Sequence, residues 1–235
     1  DLEDKKKIFN DFKTYEKFFE KKGIFIDQIK REKMIKRNFL KILSKKGLKI
    51  INDPKLIDEV VNLVDSPNVL LCNFDKKFLS IPKEILILTM ESYQKYFPTF
   101  NKKDEITNEF LIVINGKDRK GLIKIGNERV VEARLNDAAF FWNKDKSQNL
   151  LKKVSELKSV NFFEGLGSYF DKIQRMRKLG GMISDDLLIS KEKVELSASI
   201  CKTDLTSQLV GEFPELQGVM GGYFSAHQGF DKDIS

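Results

Sequence analysis

The chain has one histidine, His227, and two cysteines, Cys72 and Cys201, among its 235 residues. The cysteines are far apart and neither belongs to a CxxC pair, so they read as reduced, buried thiols of a cytosolic protein. A single His without a cysteine cluster leaves a zinc site without its usual ligands. Long apolar runs are also missing: none approaches the roughly 18 residues that cross a bilayer. The first residues, DLEDKKKIFNDF, contain neither an initiator Met nor the apolar stretch of a signal peptide. The expectation is a start cut inside a longer protein, or a processed end.

What is present fits a globular chain. Apolar residues make up 41% and charged residues 33%, enough for one large domain or two small ones with a sizeable core. The formal charge of +7 leans towards a polyanionic partner. Much of the excess lies in Lys5-Lys6-Lys7, Lys30-Arg31, Lys36-Arg37 and Lys45-Lys46, at helical spacing and alternating with acids. Those groups read as solvated helix faces.

Periodicity predicts two helices between Lys5 and Ser44, interrupted near Gly23. In the first, Ile8, Phe12, Tyr15 and Phe19 recur at helical spacing. Gly47 stops the second, and Asn52-Asp53-Pro54 caps a third helix with proline in its first turn. Asn68 to Phe74 and EFLIVING (Glu109 to Gly116) read as strands, with a helix between them opened by Pro82 and stopped by Pro98. GLIKIGNERVVEARLNDAAFFWNKD starts as helix or strand and ends in an aromatic cluster, Ala138 to Trp142, expected to be buried. From Ser147 the sequence reads as helical in three runs: to about Lys158, from Val160 to Leu179, and from Lys191 to Phe213. Gly180-Gly181 is the strongest punctuation there. The expected organisation is α+β: a helical lead-in over 1–47, an α+β module over 48–146 and a helical domain over 147–235.

Few motifs point to chemistry. GLGSYFDK (from Gly165) and GVMGGYF (from Gly218) lack the GxxxxGK[ST] pattern and follow no convincing strand, so their glycines read as close helix contacts. Asp185-Asp186 reads as helix capping rather than as an acid–base pair with Glu212 or Glu215, and His227 as a surface residue. Arg129 and Arg134 have two readings. One is an Arg–carboxylate pair with Asp137 that orders a loop; the other is a grip on a phosphate backbone. LVGEFPELQGVMGGY reads as helix, hinge and helix, with Pro214 ending the first and Gly218, Gly221 and Gly222 allowing close packing.

Several of these stretches fall together. LIDEVVNLVDSPNVLLCNFDKKFLSIPKEIL, QKYFP, FLIVING, GNERVVEARLNDAAFFW, Leu166-Gly167 with Asp171-Lys172 and Arg175, and CKTDLTSQLVGEFPELQGVMGGYF occur in this order over roughly Leu56 to Tyr223. Together they resemble the β subunit of bacterial heterotetrameric glycyl-tRNA synthetase. The resemblance implies a central fragment of a longer, cytoplasmic protein. Its first part would be similar to the editing-type module of the phenylalanyl-tRNA synthetase β subunit, its second to an HD-type helical domain. The implied function is glycine-tRNA ligation, in which this subunit supports tRNA(Gly) binding and assembly with an α subunit. Adenylation, with ATP and Mg, is implied to lie on the α subunit, leaving this chain without a catalytic residue or a cofactor of its own.

The matching motif positions that could meet nucleic acid are Arg129, Arg134, Lys172 and Arg175. An HD phosphohydrolase binds metal through His and adjacent His-Asp ligands. Here Cys201-Lys202-Thr203-Asp204 offers the Asp without a His, so no metal site is expected. The chain also departs from the family at Glu132, Tyr93 and Gly165, where a basic residue, His and Lys are usual. The rival readings are an editing hydrolase of mischarged tRNA and a purely structural scaffold.

Overall fold

Aspartates start the first helices. The computed structural model describes residues 7–235; Lys5 and Lys6 of the first basic group lie outside them. Helix α1 (Phe12–Lys21) is capped by Asp11, α2 (Gln28–Lys46) by Asp27 and α3 (Pro54–Leu63) by Asp53. The Asp53 carboxylate accepts from the amides of Lys55 and Leu56, which no helical carbonyl can reach. Gly47 ends α2 with a left-handed φ of 67°, as its position predicts. Ile8 stands outside α1 and is exposed, which removes it from the expected helical stripe. Arg31 is not part of a solvated face: its guanidinium donates to the carbonyls of Phe25, Ile26 and Val61 and closes the turn between α1 and α2.

Strands β1 (Lys49–Ile50), β2 (Pro67–Asn73), β3 (Phe97–Phe100) and β4 (Ile106–Asn115) form an antiparallel sheet in the order β1-β3-β4-β2. Helix α4 (Lys83–Gln94) joins β2 to β3. The two-residue period of β4 serves two cores. Leu111 and Val113 join Val69, Leu71 and Phe97 beneath α2 and α3, where Ile35, Phe39 and Val60 are buried. Phe110 stacks instead on Phe74 and Tyr96. Cys72, paired with Phe110 in the register, is fully buried, and burial first, with the charge of Glu128 adding, pushes its thiol up to about 12.

Pro98 does not stop α4. Lys95, with a left-handed φ of 58°, has already turned the chain, and Pro98 lies within β3. It sits beyond the residues that pair with β1 and beside a register shift, where a missing N–H is tolerated.

GLIKIGNERVVEARLNDAAFFWNKD is one helix, α5 (Leu122–Lys146). Val131, Leu135, Ala138 and Trp142 form its buried seam, at spacings of three and four. The aromatic cluster is therefore divided: Phe140 falls off the seam and is 61% exposed. The described residues divide into two compact units between Leu135 and Asn136, within α5.

The second unit contains α6 (Leu150–Lys153), a 3-10 turn over Val154–Ser159, and the strands β5 (Asn161–Phe163) and β6 (Gly167–Ser168). Helices α7 (Tyr169–Leu187) and α8 (Lys191–Ile200) follow, then a 3-10 turn over Thr203–Thr206 and α9 (Gln208–Glu212). A third such turn, Pro214–Leu216, leads to α10 (Val219–His227). The β5–β6 hairpin corrects the expectation of helix from Val160, and the run from Lys191 to Phe213 is broken after Ile200.

Gly180-Gly181 lies inside α7 and does not end it. A Cβ on Gly180 would sit 2.7 Å from Val194 Cγ1, and one on Gly181 3.2 Å from Glu195 and Lys191 atoms. Close approach of α8 accounts for two residues that otherwise weaken a helix. Asp185 and Asp186 occupy the last turn of α7, not an N-terminus, and Asp185 meets Lys191 at 3.8 Å. The architecture is thus α+β, with one small antiparallel sheet and a hairpin among helices. No helix among the described residues is long and apolar enough to cross a membrane.

Gly180→Leu is expected to lower stability by about 1–3 kcal/mol, the cost of overpacking a close contact. Adding Val194→Ala should recover part of that deficit, read from thermal melts of the single and double variants. Equal melting of the Leu variant and the parent would show that the contact is not tight.

Candidate nucleic-acid interface

Helix α7 starts from a capping box. Ser168 Oγ accepts from the Asp171 amide, while Asp171 Oδ2 accepts from the Ser168 amide and hydroxyl at 2.8 Å. The Ser168 amide bond foremost, then its hydroxyl, holds the Asp171 carboxyl below the usual carboxylate range, with the nearby charge of Arg175 adding. Lys172 and Arg175 follow at i and i+3 and share one face of the helix. The Lys172 ammonium lies 3.8 Å above the Phe162 ring and 5.7 Å from that of Tyr169. Arg175 is exposed. Beside them lies a cleft of about 750 Å³, lined by the β5–β6 hairpin, Lys158 and the first turn of α7. Gly165 and Gly167 have φ of 76° and 79°. They turn the hairpin, which corrects the reading of them as a helix–helix contact.

Arg129 and Arg134 are exposed on α5, about 140° apart around its axis at about 100° per residue. Among the described residues neither forms an ion pair with Asp137 or another carboxylate, so the loop-ordering pair is not formed and the segment is not a loop. Of the four candidate cations, Arg129 and Arg134 belong to the first unit and Lys172 and Arg175 to the second.

What holds the GNERV stretch in place is its Asn and Glu. Glu128 Oε1 accepts from the Asn73 amide at the end of β2 at 2.8 Å, and Asn127 Oδ1 accepts from the Tyr96 hydroxyl. Sequence reasoning fixed on the two arginines and missed these neighbours. The signal was a run of polar residues directly before the buried Val131 seam.

Asp204 is 1% exposed. Its Oδ2 accepts from the amides of Gly218 and Gly221 at the start of α10, and Oδ1 is buried without a hydrogen-bond partner. Burial raises its pKa, and the two amides pull it part of the way back. Gly221 brings the helix against this carboxylate, and a Cβ on Gly222 would lie 3.0 Å from the Ser235 carbonyl, so both glycines serve close packing. Gly218 instead supplies a φ of 86° at the hinge. His227 ends α10 and is exposed. Among the described residues no three His, Cys, Asp or Glu side chains group to hold a metal ion.

The chain belongs to the glycyl-tRNA synthetase beta subunit family, whose model matches residues 2–235. It is 36% identical over 236 residues to the glycine--tRNA ligase beta subunit of Rickettsia felis, covering all of this chain and 35% of that protein. The protein of the same name from Thermodesulfovibrio yellowstonii is 37% identical over 223 residues, covering 94% of this chain and 33% of the relative. For that of Leptothrix cholodnii the identity is 41% over 205 residues, with 80% and 29% covered. The chain thus spans about a third of the length of the curated relatives it matches.

Asp204 yields a pH prediction. An acid whose folded pKa is raised contributes stability that is full below its unfolded pKa and is lost as pH rises through the folded pKa. Asp204→Asn keeps an oxygen for the two amides and removes the charge. It should therefore melt at or above the parent temperature near pH 8, with the gap closing towards pH 4. Asp204→Ala leaves both amides unpaired and should lose about 1–3 kcal/mol at every pH. A gap between the parent and the Asn variant that does not change with pH would contradict this assignment.

Proposed function

We propose that the chain acts as part of a glycine-tRNA ligase β subunit, supporting tRNA(Gly) binding and assembly with an α subunit that carries the adenylation site. The observation that carries this reading is the family match across residues 2–235, joined to the exposed cations Arg175, Arg129 and Arg134 and the half-buried Lys172. Phosphate contacts from such side chains give affinity and orientation without reading sequence. The rate advantage comes from holding the tRNA 3′ end against an adenylate bound by the α subunit. ATP and Mg belong to that partner site, and this chain holds neither. The setting is the cytoplasm, where tRNA is charged.

The finer architecture is part of the proposal. Residues 48–146 correspond to an editing-type module like that of the phenylalanyl-tRNA synthetase β subunit, and residues 147–235 to an HD-like helical domain. In that domain Asp204 serves as the anchor of α10, and its two glycine amides take the place of a metal.

Binding of the purified chain to tRNA(Gly) should weaken steeply with salt, and Arg175→Ala should make the slope of log affinity against log salt shallower by about one unit. Fluorescence anisotropy across a salt series reads both effects. No binding even at low salt would remove the RNA-contacting role and leave capture of the α subunit as the chain's task.

A further inference from the structure

We propose that the β5–β6 hairpin is a stacking platform for unpaired RNA bases. Phe163 is the ring on which a base lies, and Lys158, Lys172 and Arg175 hold the adjoining phosphates. The inference rests on the RNA-binding role proposed above and assigns it to a particular surface.

The hairpin displays apolar surface that the fold does not use. Phe163, the last residue of β5, is 68% exposed, and Leu166 in the turn is 50% exposed. The left-handed Gly165 and Gly167 shape that turn. Its neighbours differ: Phe162 meets Tyr169 edge-on at 5.3 Å and lies under the Lys172 ammonium, while Phe170 lies 5.0 Å from the Lys158 ammonium. Among the described residues no ring or cation partner is found for Phe163. One aromatic face is free, bordered by rings already engaged with cations.

The charges around it select the occupant. Lys158, Lys172 and Arg175 form no ion pair among the described residues. Two carboxylates border the same cleft, Glu164 and Asp171. Asp171 also caps α7 through Ser168, and those bonds keep its carboxylate ionised. Three cations free of ion pairs against two carboxylates leave a net positive charge, which favours an anionic partner. A ring raised on a hairpin can stack only on a base with a free face, which the interior of a duplex does not offer. An unpaired RNA strand supplies both the free base and the phosphates. Because every base has a π-face, binding should tolerate sequence changes.

The test uses the 235-residue chain and two labelled probes, an unstructured RNA of about 12 nucleotides and a duplex of about the same length. The expected result is preference for the single strand and about tenfold weaker binding on Phe163→Ala, with the salt slope unchanged. Phe163→Trp should bind like the parent, and its emission should be quenched when the single strand is added. Lys158→Ala should make the salt slope shallower, by about 0.7 for each phosphate that is no longer neutralised. Thermal melts should show that the exposed Phe163 can be replaced without unfolding the chain. RNA binding that persists unchanged in Phe163→Ala, with no quenching in Phe163→Trp, overturns the hairpin assignment and leaves the tRNA role standing. Failure of Phe163→Ala to capture the α subunit while RNA binding stays intact also overturns it, assigning the ring to a protein interface. If the parent binds neither probe nor tRNA(Gly) at low salt, the RNA-binding role on which the hairpin assignment rests fails as well.

Discussion

Strand β4 is the constraint on which the first unit depends. Consecutive residues, Phe110 and Leu111, are both fully buried, and a strand sends consecutive side chains to opposite faces. Both faces of the sheet must therefore be covered. On one side α2 and α3 supply Ile35, Phe39 and Val60; on the other Phe110 packs among Phe74 and Tyr96. The seven-residue pairing of β2 with β4 fixes the register, since a slip of one residue would exchange the two sets. Asn127 and Glu128 follow from the same need. They place the start of α5 by satisfying Tyr96 and the amide of Asn73, and Arg129 and Arg134 are carried to the surface as a result.

The second unit is organised around buried carboxylates. Asp145 accepts from the Leu209 amide at 2.7 Å and anchors the start of α9, as Asp204 anchors α10. Each lies outside the helix it serves, and at α9 it adds to a local cap, the Ser207 hydroxyl accepting from the Val210 amide. Short helices have little intrinsic stability, and a cap supplied from elsewhere in the unit makes up part of the deficit. Charge placed by this logic serves folding, as does the pairing of Arg177 on α7 with Glu195 on α8; Lys172 and Arg175 form no ion pair among the described residues, and Lys172 meets only aromatic rings.

Local signals were legible in the sequence, and reciprocal fits were not. Asp53-Pro54, Gly47 and the β2 and β4 runs state their roles within a few residues, because caps, left-handed stops and buried strands are short-range features. Gly180-Gly181 misleads because its reason is Val194 on another helix, which no window around residue 180 contains. Pro98 misleads in the same way, since its tolerance depends on where β1 stops pairing. The hairpin at 161–168 was hidden by the apolar residues on either side, which match helix and strand alike over so short a run. For the candidate interface, Lys172 and Arg175 were visible as motif residues, while Phe163 had no signal until Phe162 and Phe170 were seen to be occupied.

The burial of Cys72 has a consequence for how motions of the sheet can be followed. A thiol held near 12 carries almost no thiolate at neutral pH, and only the thiolate attacks a disulfide or an alkylating reagent. Modification of Cys72 thus has to wait for the structure that buries it to open. The rate of its reaction becomes a clock for that opening, reporting on local unfolding at one chosen strand without any added label.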